Sequence, residues 1–133
     1  MSGEVELARH WMAKALNDLL AADNNLAAAE TPYDTVCFHC QQAAEKLLKA
    51  YLVAKGVSYP LTHDLIPLLK KIQPLRADVA QLGDVLALLD PYAVEIRYPG
   101  DNDMPEEQDA RAARQAAEEV LIWLRRARPE LFD

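Results

Sequence analysis

Apolar side chains recur along the first part of the chain at Val5, Ala8, Met12, Ala15, Leu19, Ala22 and Leu26. These steps of three and four place them on one helical face. Ser2 or Gly3 can open such a helix, Glu4 and Glu6 suit its positive end, and Thr31-Pro32 opposes its continuation, which predicts a helix over about 4–30. The pattern resumes at Val36, Cys40, Ala43, Ala44, Leu47, Leu48 and Tyr51 and stops at Gly56, a helix over about 33–55. Thr62 or His63 then precedes a short third helix over about 64–72, with Pro67 early enough to be tolerated. Pro74 separates it from a fourth segment, Arg76 to Leu89, and Pro91 imposes a further break. Residues 99–105 read as an acidic, turn-rich, flexible loop. A final helix from Glu106 carries Ala110, Ala113, Ala117, Val120, Leu124 and Ala127 inward and ends before Pro129, with Arg125, Arg126 and Arg128 complementing its negative end.

Composition turns these segments into a fold. The 133 residues fit a single domain spanning 1–133, and an apolar half with only four Gly is the composition of packed helices. The expected class is all-α, an up-and-down bundle of four to five helices whose inner Ala residues let the long helices pack closely and nearly antiparallel. Apolar positions outside the first stripe, Trp11, Leu16 and Leu20, leave surface to cover and predict a homodimer. Charges interrupt the N-terminal segment and no stretch approaches the roughly 18 apolar residues of a membrane helix. No export signal, no membrane partner and a cytoplasmic location are therefore expected, and two cysteines make no disulfide framework. The net charge of −7 is a poor match to duplex DNA, which is not expected as a partner.

Candidate chemistry is sparse. Cys37 and Cys40, three apart with His39 between, suggest a thiol pair or half a metal site, but no strand precedes them and His10 and His63 are the only other His. Two buried small residues are expected instead. No Gly-rich phosphate loop and no nucleophile elbow occurs, so neither a catalytic set, a metal nor a cofactor is predicted. The charge distribution says more. Between His39 and Arg76 six basic side chains face two acidic ones, a local +4 that leaves −11 for the remainder. Within that window His39, Gln42, Lys46 and Lys49 share one helix face, a stripe suited to phosphate or to a partner's carboxylates. Its alternative is a solvated polar face in which Glu45 and Lys49 form an ordinary pair. Changing Lys46 and Lys49 together to Ala is expected to weaken anion binding roughly ten- to thirtyfold and to leave folding intact. His63 reads as an anion ligand or a capping residue, and Arg97-Tyr98 as a phosphate and base contact or as a surface Arg beside a structural Tyr.

Three segments in order carry a resemblance. Gln41-Gln42-Ala43-Ala44-Glu45-Lys46-Leu47-Leu48-Lys49-Ala50-Tyr51-Leu52, then Thr62-His63-Asp64-Leu65, then Tyr92 with Arg97-Tyr98-Pro99 resemble the signatures of the HEPN domain family, and Trp11, Ala15 and Asp18-Leu19 are similar to its first helix. The resemblance implies a helical bundle, commonly a homodimer, found beside or fused to a minimal nucleotidyltransferase and binding a nucleotide or single-stranded RNA, at times within a toxin–antitoxin system. Lys46, Lys49, His63, Arg97 and Tyr98 match its signature positions, which in the family carry anion binding or hold the fold and dimer together, and with His39 and Gln42 of the α-helical stripe they make the set of candidate ligand-binding residues. Many members are metal-independent endoribonucleases whose Arg is followed four to six residues later by a His. Here no His follows Arg97. A non-catalytic binding module is accordingly the first expectation, an RNA-cleaving toxin with an altered Arg/His site the second, and a purely structural dimerisation protein the third.

Overall fold

The computed structural model describes residues 3–94 and 104–133. Five α-helices and three 3₁₀ turns account for about four fifths of them, and no strand occurs among the described residues. The helices are α1 (Gly3–Leu26), α2 (Tyr33–Ala54), α3 (Leu65–Ile72), α4 (Gly83–Leu89) and α5 (Glu107–Ala127). Arg97, Tyr98 and most of the acidic loop expected at 99–105 lie outside the described residues.

Helix α2 is the centre of the molecule, packed against α1, α3, α4 and α5. Its inner stripe includes Val36, Ala43 and Ala50, seven apart, and α1 presents Ala8, Ala15 and Ala22 at the same spacing, all fully buried. Small side chains repeated every seven residues keep one stripe in register and let two helices approach closely. The contacts define direction: Asp18 meets Lys46 and His39, whereas Trp11 lies against Lys49, so α1 and α2 are antiparallel. Tyr51 packs on Trp123 and Arg128 reaches the Ala54 carbonyl, so α2 and α5 run parallel, with α3 and α4 making the return. Leu47, Leu48 and Leu52 of α2 join Leu65, Leu68, Ile72, Leu86, Leu89 and Leu124 in one continuous core.

Most boundaries follow local chemistry. Gly56 adopts φ +71° and ends α2, its N–H donating to the Val53 carbonyl while that of Val57 donates to Leu52, the paired bonds of a left-handed C-terminal cap. Glu106 and Asp109 form a reciprocal capping box at α5. Helix α1 corrects the expected extent, ending at Leu26 rather than near Glu30. Asn24 and Asn25 are weak helix formers, the Asn25 side chain bonds back to the Ala21 carbonyl, and the chain turns at Ala27 and Ala28 before Pro32 can act. The start of α3 is held from a distance: the Asp90 carboxylate accepts the Leu65 N–H at 2.8 Å, a cap that neither Thr62 nor His63 supplies. The segment expected at Arg76 to Leu89 divides into a 3₁₀ turn, Ala77–Leu82, and α4. Asp78 in that turn accepts from Trp123 Nε1 at 3.1 Å and Arg76 Nε at 3.0 Å. Burial acts to raise the Asp78 carboxyl's pKa, but those two hydrogen bonds outweigh it and hold the group below its ordinary value.

Candidate functional site

The polar flank of α2 meets α1 and the α2–α3 loop in two adjoining clusters, each a carboxylate holding one Lys and one His. In the first, Asp18 of α1 accepts from Lys46 Nζ at 2.6 Å and from His39 Nδ1 at 2.9 Å. In the second, Glu45 of α2 accepts from Lys49 Nζ at 2.9 Å and from His63 Nδ1 at 3.1 Å. An ionised carboxylate only accepts, so each imidazole carries its proton on Nδ1 and keeps Nε2 for another partner. Gln42 stands between the clusters, donating to Gln41 Oε1 and approaching Glu45 at 3.4 Å. Gln41, wholly buried, donates to the His63 carbonyl at 2.7 Å. One turn of α2 thus grips His63 twice, by its backbone from Gln41 and by its ring from Glu45.

Burial separates these residues into a base and a rim. The Lys49 and Glu45 side chains are 7% and 4% exposed, with the ammonium 5.5 Å from the Trp11 ring and 5.2 Å from the Tyr59 ring. Those rings meet edge to face at 5.6 Å, so Lys49 is enclosed by two aromatics and a carboxylate. Its expected place on an exposed stripe is corrected: it lies beneath the surface. Lys46 and His39 are about a quarter exposed, and His63, at 76%, projects into solvent. With both imidazoles neutral the two clusters sum to zero charge, and each imidazole that gains a proton adds one.

Trp11, Tyr59 and Gln41 were not singled out as site residues from sequence. Trp11 was expected among the apolar positions that a second protomer covers, and only the turn after α2 brings Tyr59 onto α1 and α2. Trp11 also stands apart from Leu16 and Leu20, which are 40% and 56% exposed, because at about 100° per residue they fall on the opposite flank of the α1 buried stripe. The two thiols lie in the core, and burial pushes Cys40 up to about 12 despite the lowering pull of Arg114. A thiol so held is not a nucleophile at neutral pH. No group of three or more potential metal-ligating side chains occurs among the described residues, and none of the described helices is long and apolar enough to cross a membrane.

A family model described as HEPN domain matches residues 8–127. The chain belongs to the HEPN domain family. No curated protein and no solved structure matches it. The segments that carried the resemblance in sequence now have a physical relation: two of them, Gln41 to Leu52 and Thr62 to Leu65, are joined by the bonds from Gln41 and Glu45 to His63. In this HEPN domain the spacing between them is the length of chain needed to leave α2, turn at Gly56 and return past Tyr59.

Proposed function

We propose that this HEPN domain is a non-catalytic, cytoplasmic binding module for a nucleotide or single-stranded RNA, acting as a homodimer beside a minimal nucleotidyltransferase partner within a toxin–antitoxin system. The observation that carries the reading is the convergence of two HEPN segments on His63, which holds an exposed imidazole against a buried carboxylate at the edge of the α2 flank. His39, Gln42, Lys46 and His63 form the rim open to a ligand and Lys49 supports it from below; Arg97 and Tyr98, which lie outside the described residues, are proposed from sequence alone as a further cation and ring. The absence of a His after Arg97 favours binding over metal-independent cleavage.

Titration calorimetry with ATP, GTP and a short single-stranded RNA tests the reading. Salt-sensitive binding is expected, and no heat at millimolar ligand would reject it. Cleavage of that RNA, abolished by Arg97→Ala and retained in Lys46→Ala, would establish the endoribonuclease alternative. Exposed Leu16 and Leu20 support self-association through α1, and a light-scattering mass near the 14.9 kDa of one chain at micromolar concentration would reject it.

A further inference from the structure

An open groove of about 510 Å³ lies between the α2–α3 loop and α3, lined by Ser58, Tyr59, Pro60, Pro67, Lys70 and Lys71. Its size is that of a small-ligand site, for which roughly 300–1,000 Å³ is usual. Three features of its walls point to what it holds. Pro67, Lys70 and Lys71 are three and four residues apart and so share the outer face of α3, opposite buried Leu65, Leu68 and Ile72. Both ammonium groups are exposed, and neither makes an ion pair among the described residues, unlike Lys46 and Lys49. The third feature is Tyr59, whose ring is fixed by the Trp11 edge and the Lys49 ammonium before any ligand arrives. An immobilised ring stacks a planar group at little entropic cost.

The geometry points to this groove as a nucleotide site, with the phosphates against Lys70 and Lys71, the base on Tyr59 and the Ser58 hydroxyl within the same wall. This rests on the nucleotide reading above and adds to the α2 rim a second anion-binding surface on α3: the α2 cations are matched by Asp18 and Glu45, and the α3 cations are unmatched among the described residues. Two unmatched positive charges, a rigid aromatic and two proline walls suit a mononucleotide better than an extended polyanion, which the acidic remainder of the chain repels.

The test is ATP titration followed by amide chemical shifts on the whole chain. Shifts are expected at residues 58–60 and 67–71, and Lys70→Gln with Lys71→Gln should weaken binding about tenfold without altering the melting curve, whereas Arg111→Gln, an exposed cation on α5 away from both surfaces, should change binding less than twofold. Shifts centred on His39 and Lys46, with the α3 double variant binding as wild type, overturn the groove and leave the nucleotide reading standing. No binding at millimolar ATP overturns both. Binding of a polyglutamate decapeptide, with shifts at 58–71 and none from ATP, overturns the nucleotide assignment in favour of an acidic peptide.

Discussion

Removing Lys49 should cost the protein more stability than any other single surface-type substitution on α2. Its ammonium is 2.9 Å from Glu45 Oε2, and the two side chains are 7% and 4% exposed. Truncation leaves the Glu45 carboxylate desolvated with the His63 ring and the longer Gln42 contact as its remaining partners, and the His63 side chain is largely in water. Breaking a buried pair from one side costs about 3–5 kcal/mol. The retained imidazole contact and Gln42 argue for the lower end, about 3 kcal/mol, or roughly a 10 °C fall in Tm for a chain of this size. Lys49→Met separates charge from packing because it keeps an unbranched stem between Trp11 and Tyr59. Glu45→Gln combined with Lys49→Met removes both charges, while the Gln oxygen still accepts from His63. The double variant should regain at least about 2 kcal/mol relative to Lys49→Met alone. Urea denaturation followed by circular dichroism measures all three. A loss below about 1 kcal/mol for Lys49→Met, or a double variant no more stable than the single, would refute the description of this pair as buried and interdependent.

Three further perturbations have defined outcomes. Gly56→Ala should lower stability by about 1 kcal/mol, since φ is +71° and the new Cβ would stand 3.0 Å from Glu4 Oε2; a melting curve unchanged within error would contradict the left-handed cap. Asp90→Ala should cost about 1 kcal/mol by freeing the Leu65 N–H, with faster hydrogen exchange confined to the first turn of α3 as its signature. Cys40 carries an alkaline dependence: its thiol is raised by burial from 9.0 to about 12, so the folded state favours the protonated form, and its stabilisation is full below pH 9 and lost as pH rises toward 12. Across that window wild type should lose up to about 4 kcal/mol more than Cys40→Ala, and parallel stability curves would remove Cys40 as the cause.

The helices were legible because each obeys local rules: apolar steps of three and four, Gly56 after α2, Pro129 after α5. Their directions were not, since the parallel run of α2 and α5 depends on α3 and α4 together making one return across the core. The early end of α1 shows the limit of reading a helix from its strongest breaker. Pro32 is the more obvious stop, yet paired Asn residues with a competing side-chain bond ended the helix a turn earlier. The shared flank of α2 was legible, and its depth was not. Spacing placed His39, Gln42, Lys46 and Lys49 on one flank of α2, but whether that flank faces water depends on what α1 and the loop lay over it. Trp11 and Tyr59 cover Lys49 and leave Lys46 near the surface.

The same reasoning explains why counting charges along a window misjudges the available field. Of the six basic residues between His39 and Arg76, Lys46 is matched by Asp18 and Arg76 by Asp78, and both acids lie outside the window. Lys49 is matched by Glu45 within it. Folding therefore removes three cations that sequence leaves standing, and those without an ion pair among the described residues are Lys55 at the end of α2 and Lys70 and Lys71 on α3. All three border the connection from α2 to α3, the segment that Gln41 and Glu45 anchor at His63. The clusters on α2 fix where that connection runs, and the connection places Tyr59 beside α3. On this account a substitution in the Glu45–Lys49 pair weakens ligand binding by displacing the Tyr59 wall, with shallow salt dependence in the lost part. Loss of Lys70 or Lys71 weakens binding through charge alone, so its effect should vanish at high salt.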